Sequence, residues 1–277
     1  MDTSPLAAPL DTDSAAALGT TVCVWAHPDD ESYLSAGLLA ALSAAGRPAT
    51  VVTATRGEAG PTGPPPAAGS GGAGSGGDGS SGAGPAGAGP AGSPSWAALP
   101  PPSRADELAA ALRVLGVADH HQLGFPDGGC ADVAPAAGAA AVRRVLGAVR
   151  PDTVVTFGPD GFTGHPDHVA AGLWTRRALR DLGWTGRLLH PVMTPDDRAA
   201  GRDVADLFGV YALGEPRLCR PEALAVRLEL AGEPLARKVA ALRAHRSQTA
   251  VLLDVLGVER YAAWVGVESF VEAPLRP

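Results

Sequence analysis

Histidines and aspartates are clustered in two short segments, and their spacing could support hydrolysis at a bound zinc ion. The first segment, 26–31, has the sequence AHPDDE, and the second segment, 164–168, has the sequence GHPDH. A catalytic zinc site typically has three protein ligands and one open position for a water molecule. His27, Asp30 and His168 would supply two imidazoles and one carboxylate, so we predict that these three residues bind the metal.

The same segments contain further groups suited to acid–base catalysis. Asp29, adjacent to a predicted ligand, could remove a proton from the attacking water. His165 is three residues from His168 in a predicted helix, and it could stabilise an oxyanion and protonate a leaving amine. Asp167, near a helix N-terminus, could hold an imidazole in its working tautomer. Arg56 is a candidate for binding a substrate hydroxyl or phosphate, although an arginine in a turn is as often solvated.

Each segment taken alone also has an ordinary structural interpretation. Asp and Glu in the first turn of a helix are common capping residues, and a single histidine in a loop is usually structural. The occurrence of two His-Pro-Asp tripeptides, each after a predicted strand and before a predicted helix, favours catalysis instead. The two His-Pro-Asp segments together therefore indicate catalysis more specifically than either segment does alone.

Predicted strands precede both segments, and predicted helices follow them. The runs 22–25 and 152–157 have the apolar character of buried parallel strands, and 32–45 and 166–182 show helical patterns. The pattern continues with strands at 49–55, 121–125, 188–193 and 225–230 and helices at 103–115, 136–149 and 233–245. We predict an α/β fold with a mainly parallel sheet, helices on both faces and a metal site at the carboxyl ends of the strands.

Composition limits the class of protein. The chain has 277 residues and a formal net charge of −7, which argues against a nucleic-acid partner because such binding depends on clustered Lys and Arg. Three scattered cysteines without a CxxC pair indicate a reducing cytosol. We find no signal-peptide pattern and no apolar run long enough to span a bilayer. We therefore expect a soluble, cytoplasmic protein, whose oligomeric state the sequence does not indicate.

A low-complexity segment interrupts the predicted domain. Residues 61–102 consist almost entirely of Gly, Ala, Pro and Ser, a composition that cannot bury enough apolar surface to offset the entropy lost on ordering. We interpret this segment as a disordered insertion in a loop and residues 1–20 as a flexible tail. The rest of the chain, 21–277, is expected to form a single domain.

The chain resembles the PIG-L (LmbE-like) family of zinc-dependent N-deacetylases. The resemblance rests on the segments 26–31 and 164–168, and weaker matches lie at 56–60, 124–128 and 245–248 and at Arg104 and Glu107 before Leu115 and Gly116. It implies a Rossmann-like fold and the removal of acetyl groups from N-acetylglucosamine-type substrates. It also implies that His27, Asp30 and His168 bind the metal. By the same resemblance, Asp29 is the general base and His165 assists the transition state.

One departure from the family concerns the substrate. Members that act on the mycothiol precursor carry a tyrosine immediately before the Gly-His pair, where this chain has Thr163. We predict a zinc-dependent hydrolase that deacetylates a small N-acetylated amino sugar or similar amide, with a larger amide such as a thiol conjugate as the alternative. A non-catalytic Rossmann-like binder is a third interpretation, but the chain lacks a Gly-x-Gly-x-x-Gly loop after the first strand.

Other polar residues are given ordinary structural roles. Arg104 and Glu107 are spaced as an ion pair on a helix surface, and Asp127 is expected in a turn. Glu58 is interpreted as a local partner in its own turn. His245 closes a predicted helix, where a cation suits the helix dipole, and the sequence does not specify any further role for it.

Overall fold

A seven-stranded sheet lies at the centre of the computed structural model, which describes residues 15, 17–60 and 103–275. The strands are β1 (Thr21–Trp25), β2 (Ala49–Thr55), β3 (Asp119–Phe125), β4 (Thr153–Thr156), β5 (Arg187–Val192), β6 (Val226–Glu229) and β7 (Val267–Glu272). The α-helices of the described chain are α1 (Asp30–Leu34), α2 (Ala36–Ala44), α3 (Arg104–Leu115), α4 (Pro135–Val149), α5 (Pro166–Asp181), α6 (Pro195–Ala200), α7 (Arg202–Phe208), α8 (Gly232–Ala244), α9 (Arg246–Leu256) and α10 (Val258–Val265).

The strand order across the sheet is β3-β2-β1-β4-β5-β7-β6. The strands from β3 to β5 in this order pair in parallel, whereas β7 runs antiparallel to both β5 and β6. The predicted fold class, a mainly parallel α/β sheet, is therefore confirmed. The antiparallel edge is built by C-terminal elements whose order the sequence patterns do not predict.

Helices cover both faces of the sheet, as the continuous apolar run of β1 requires. All 5 residues of β1 are buried, and their side chains alternate between two apolar layers. Cys23 and Trp25 belong to the layer that contains Leu112 of α3. Val22 and Val24 belong to the layer that contains Trp174 of α5. A strand buried on both faces has no side that faces water, and this explains its unbroken apolar sequence.

The two His-Pro-Asp segments follow β1 and β4, which are neighbours in the sheet. From β1 the chain continues to β2 on one side, and from β4 it continues to β5 on the other. The direction in which successive strands are added to the sheet thus reverses between β1 and β4. A reversal of this kind opens a crevice outside the carboxyl ends of the strands, where ligands bind in open α/β sheets. The topology therefore brings both segments to one crevice.

Several local features differ from the sequence-based expectation. The helix predicted at 32–45 is divided into α1 and α2, because Ser35 between them has φ −147° and ψ 14°. The Ser35 hydroxyl donates a hydrogen bond to the carbonyl of Glu31 (3.0 Å). The helices α6, α7, α9 and α10 and the strand β7 were not predicted, because short amphipathic segments give weak periodic signals.

The packed chain begins within the segment that was predicted to be a tail. Leu18 is buried, and its carbonyl accepts a hydrogen bond from Thr153 Oγ1 (2.7 Å). The predicted insertion at 61–102 lies outside the described residues. Within the described part of the chain, no helix has both the length and the apolar character needed to cross a bilayer.

Candidate active site

His27, Asp30 and His168 meet at the carboxyl ends of β1 and β4. His27 Nδ1 lies 3.1 Å from His168 Nε2, His168 Nε2 lies 3.4 Å from Asp30 Oδ1, and His27 Nδ1 lies 3.8 Å from Asp30 Oδ2. Ligand atoms at about 2.0–2.2 Å from a tetrahedral zinc are separated by about 3.3–3.6 Å. The distances from His168 to His27 and to Asp30 are therefore close to the separations that a shared ion requires, whereas the contact of His27 with Asp30 is longer and uses the other oxygen of the carboxylate.

Backbone groups fix the orientation of Asp30 and His168. Asp30 Oδ2 accepts hydrogen bonds from the N–H groups of Ala26 (3.1 Å) and His27 (2.8 Å), so that Oδ1 is left facing His168. His168 Nδ1 lies 2.9 Å from the carbonyl oxygen of Gly161. Because a carbonyl can only accept, Nδ1 of His168 carries the proton and Nε2 presents its lone pair to the crevice.

Two carboxylates hold the opposite nitrogen of His27. Its Nε2 lies 3.1 Å from Asp127 Oδ1 and 3.3 Å from Asp167 Oδ2. A carboxylate behind a metal-binding imidazole orients the ring and raises its basicity. Nδ1 of His27 then faces the point shared with His168 and Asp30, so this donor set fits a divalent ion.

The two imidazoles have opposite pKa shifts. Burial opposes protonation of His27, but hydrogen bonds to Asp127 and Asp167 outweigh burial and raise the pKa of His27 to about 10. Burial and the charge of His27 lower the pKa of His168 to about 4. A protonated His27 would place its Nδ1 proton between the two facing nitrogens, and a bound cation would take the place of that proton.

Asp29 lies beside these residues in an unusual backbone conformation. Its φ of 123° lies in a region that residues other than glycine rarely adopt. The Asp29 N–H donates to Glu31 Oε2 (3.0 Å), and its Oδ2 lies 3.2 Å from the guanidinium group of Arg104. Burial raises the pKa of Asp29 to about 6, which suits a carboxylate that must accept a proton near neutral pH.

Helix α5 begins with the second His-Pro-Asp segment, as predicted. His165 is the N-cap, its Nδ1 accepts the N–H of Asp167 (3.2 Å), and Pro166 follows in the first turn. The His165 ring centroid lies 4.8 Å from that of His27 and 5.1 Å from that of His168, so the three rings line one crevice. The Asp167 side chain is fully buried and is directed at His27.

Arg104, Glu107 and Asp127, to which the sequence analysis gave ordinary structural roles, lie in or beside this site. The prediction that Arg104 and Glu107 form an ion pair on a helix surface was wrong. Arg104 is 7% exposed and Glu107 is 3% exposed, because α3 packs this face inward. Arg104 binds Asp29 and two backbone carbonyl groups, and Glu107 accepts hydrogen bonds from the N–H (2.8 Å) and hydroxyl (2.6 Å) of Ser247. Asp127 contacts His27, and its place just after β3, at the same sheet edge, is the signal that could have identified it.

Glu31 and His245 form a buried pair beneath Asp29. Neither side chain is exposed to solvent, and His245 Nε2 lies 2.8 Å from Glu31 Oε1. Ser32 Oγ donates to the same oxygen at 2.5 Å, while the other oxygen accepts the Asp29 N–H. His245 therefore connects the junction of α8 and α9 to the loop that carries Asp29.

The remaining residues singled out from the sequence lie at the rim. Arg56 is exposed, and its role in substrate binding stays a prediction. Glu58 accepts the N–H of Arg56 in its own turn (3.2 Å), as predicted, and it also accepts the N–H of the distant Asp127 (3.1 Å). Thr163 Oγ1 lies 3.2 Å from His168 Nδ1, so the residue that departs from the family pattern touches a predicted ligand.

Comparison with known proteins gives a consistent result. The family model PIG-L, described as GlcNAc-PI de-N-acetylase, matches residues 22–179. A 1D-myo-inositol 2-acetamido-2-deoxy-alpha-D-glucopyranoside deacetylase from Actinosynnema mirum is 32% identical over 265 residues, covering 88% of this chain and 86% of that protein. A deacetylase of the same name from Kineococcus radiotolerans is 32% identical over 276 residues, covering 83% and 69%. The fold is similar to that of the conserved protein TT1542 from Thermus thermophilus, with TM-score 0.55, 22% identity and coverage of 93% of this chain and 95% of that one.

Proposed function

Because the chain belongs to the PIG-L family, we propose that it is a zinc-dependent hydrolase that removes an acetyl group from an N-acetylated amino sugar of the N-acetylglucosamine type. Family membership confirms the resemblance and, with it, the hydrolysis of an amide bond. The observation that supports the metal-dependent part is the short distance between His27 and His168, with the Asp30 carboxylate beside both imidazoles. A non-catalytic binder is not supported by this membership.

Zinc is the metal that the donor chemistry favours. Two imidazoles and one carboxylate are a donor set that catalytic zinc sites use, with a further position left for water or substrate. A divalent ion bound there supplies a Lewis acid that polarises the amide carbonyl and makes a water molecule more acidic. Other divalent ions bind similar donors, so metal analysis of the purified protein decides the identity of the ion.

Asp29 would take a proton from the attacking water while the water oxygen bonds to the acetyl carbon. Its pKa of about 6, raised by burial, leaves it ionised at neutral pH and basic enough to accept that proton. Arg104 holds the carboxylate, and Glu31 holds the backbone N–H. These contacts would fix the base before the substrate binds, which lowers the cost of reaching the transition state.

His165 would give a proton to the leaving nitrogen as the carbon–nitrogen bond breaks, so that acetate and a free amine are formed. Burial lowers the pKa of His165, so the fraction of rings that carry the proton for this step would fall as the pH rises, while each protonated ring would give its proton up readily. Asp167 would act indirectly, because its side chain is buried behind His27. Arg56, exposed at the rim, would contact a substrate hydroxyl.

A substrate panel tests this function. The zinc-loaded protein would be incubated with N-acetylglucosamine glycosides, other small N-acetyl amides and larger thiol-conjugate amides, and the released amine would be measured. We expect release from the glycosides. Release from the larger amides alone would favour the alternative substrate class, and a fully metallated protein that releases no amine would contradict the proposal.

The state of the cysteines bears on the cellular location of the protein. We propose a cytoplasmic location because the three cysteines, Cys23, Cys130 and Cys219, are free and buried in the structure, as suits a reducing compartment. Fractionation of cells that express the protein would test this location, and recovery from the medium would contradict it.

A further inference from the structure

The loop between β4 and α5, residues 157–165, contains a strained turn just before the second His-Pro-Asp segment. Phe162 in this loop has a φ of 62°, and the N–H of Thr163 donates to the carbonyl of Gly161 (2.7 Å). A hydrogen bond that spans two residues around a positive φ is the mark of a γ-turn of the rare, strained kind. A bulky residue keeps such a conformation only where its surroundings enforce it, so the contacts that hold this turn are informative.

The turn is joined directly to a predicted metal ligand. The same carbonyl oxygen of Gly161 lies 2.9 Å from His168 Nδ1, which keeps the proton on Nδ1 and leaves the lone pair of Nε2 facing the crevice. The partner of the second ring nitrogen fixes the orientation and the tautomer of a metal-binding imidazole. The place of one peptide group in the turn therefore decides how His168 is presented to an ion.

Asp160 holds this turn with its side chain. Its Oδ2 accepts hydrogen bonds from the N–H of Phe162 (3.1 Å) and from the N–H of Arg217 (3.0 Å). Its main-chain carbonyl accepts the N–H of Gly164 (3.1 Å). One carboxylate oxygen thus fixes the strained residue and also ties the loop to a segment 57 positions further along the chain.

The segment 209–217, which receives this tie, is itself anchored. A Cβ at Gly164 would lie 2.4 Å from the carbonyl oxygen of Leu213, so the backbones of the loop and the segment are in direct contact. Arg198 of α6 donates to both carboxylate oxygens of Glu215 (2.7 and 2.9 Å). The segment is therefore bound to α6 and provides a fixed support for the loop.

We propose that Asp160 is a positioning residue for the metal site, because it holds the γ-turn at Phe162 whose Gly161 carbonyl sets the orientation and tautomer of His168. The proposal rests on the metal-dependent function proposed above and adds a residue that acts only through the ligand. A purely structural role for Asp160 would stabilise the loop without changing the affinity of the folded protein for zinc. Zinc affinity therefore separates the two roles.

The zinc dissociation constant is the first readout, measured on the folded proteins by competition with a chelator. Loss of an outer partner of a metal ligand typically weakens metal binding 10–100-fold. We expect a loss of about tenfold for Asp160→Ala, because Asp160 acts through one further residue. Asp160→Asn keeps an oxygen that accepts both N–H groups, so its affinity should stay near that of the wild type.

Two results of this measurement would overturn the proposal. One is a wild-type dissociation constant in Asp160→Ala together with a lower free energy of unfolding of the metal-free protein, because the role would then be structural only. The other is an equal loss of affinity in Asp160→Ala and Asp160→Asn, because the two accepted hydrogen bonds would then not explain the effect.

Two further variants separate the place of the carboxylate from its charge. Gly158→Ala keeps Asp160, but the added Cβ would lie 2.5 Å from Asp160 Oδ1, so the carboxylate must move and zinc affinity should fall. This variant also serves if Asp160→Ala does not fold. Asp181→Ala removes the same charge from the far end of α5, where the side chain is 50% exposed, and should bind zinc as the wild type does. A loss in Asp181→Ala equal to that in Asp160→Ala would overturn the proposal.

Nitrogen-15 NMR of the histidine rings in the metal-free protein is a readout that needs neither zinc nor activity. We expect His168 to carry its proton on Nδ1 in the wild type and in Asp160→Asn, and to show a mixture of tautomers in Asp160→Ala. The signals of His168 are assigned by their absence from His168→Gln. An unchanged tautomer in Asp160→Ala would overturn the proposal. A wild type that binds no zinc would contradict the proposed function, and the tautomer would still decide the role of Asp160.

Discussion

Asp29 combines a positive φ with a partly buried carboxylate, and its neighbours hold both features in place. A backbone conformation of this kind costs of order 1–3 kcal/mol and persists where the surroundings over-determine it. Here Glu31 accepts the Asp29 N–H and Arg104 binds its carboxylate. The position of the proposed base is therefore set by residues around it rather than by its own conformational preference.

Replacement of Asp29 by Asn tests the role of the base. Asn has nearly the same shape but cannot accept the proton, so we expect kcat to fall about 10²–10⁴-fold while the zinc content stays at the wild-type level. Zinc would be measured by mass spectrometry and kcat by amine release. Asp132→Asn, at an exposed position, is the matched control and should behave as the wild type. An active Asp29→Asn protein would remove Asp29 from the mechanism.

At the scale of secondary structure, the junction of α8 and α9 supports the loop after β1 through His245 and Glu31. Removing one partner of a buried ion pair leaves the other charge uncompensated, at a cost of about 3–5 kcal/mol. We expect His245→Ala to lower the free energy of unfolding by that amount in chemical denaturation. His121→Ala is the control, because the His121 side chain is 44% exposed, and we expect it to change stability by less than about 0.5 kcal/mol.

The same pair makes stability depend on pH. Burial opposes protonation of His245, but the charge and hydrogen bond of Glu31 outweigh burial and raise the pKa of His245 above the model-compound value of 6.5. A group whose pKa is raised by folding contributes fully below its unfolded pKa, and this contribution is lost as the pH rises through the folded pKa. The stability difference between the wild type and His245→Ala should therefore be larger at about pH 6 than at about pH 9. A difference that does not change with pH would contradict a charged His245 in the folded state.

The contact between α4 and α5 depends on the absence of a side chain at Gly138. A Cβ at this position would overlap the indole ring of Trp174, whereas a Cβ at Gly147 of the same helix would lie 3.7 Å from Leu182. We expect Gly138→Ala to lower the free energy of unfolding by about 1–3 kcal/mol through overpacking. Gly147→Ala should raise it by about 0.5–1 kcal/mol, because alanine favours a helix. Equal effects in thermal denaturation would show that the close approach is unimportant.

At the scale of the whole molecule, the metal site joins parts of the chain that are far apart in sequence. His27 and His168 are separated by 141 positions, and they follow two different strands of the sheet. An ion that binds only the folded chain stabilises it, by about 2.7 kcal/mol when the free ion is at 100 times its dissociation constant. The proposed metal would therefore act on folding as well as on catalysis.

Metal removal tests this coupling directly. We expect a chelator to lower the Tm of the wild type and added zinc to restore it, because an ion that binds only the folded chain shifts the equilibrium toward that chain. His168→Ala should bind no zinc, and its Tm should not respond to the chelator. A wild-type Tm that is the same with and without chelator, in a protein shown to contain zinc, would contradict this coupling.

The sequence by itself determined the parallel α/β architecture and the segments that carry the chemistry. Strand 49–55 was predicted with its correct bounds, and the helix predicted at 103–115 is α3, which Ser103 caps and which ends before Gly116. These features depend on apolar periodicity and on capping groups a few residues away, so neighbouring residues encode them. The two His-Pro-Asp segments were identified in the same way, from their places after strands.

Only the tertiary structure decided which distant side chains complete the site. Arg104 and His245 follow no local pattern that connects them to Asp29, and their contacts exist because α3 and the α8–α9 junction pack around the ends of β1 and β4. The antiparallel edge formed by β6 and β7 is decided in the same way. A periodic pattern shows which face of an element is buried, but it does not show what that face is buried against, because that contact depends on where the whole chain places its partner.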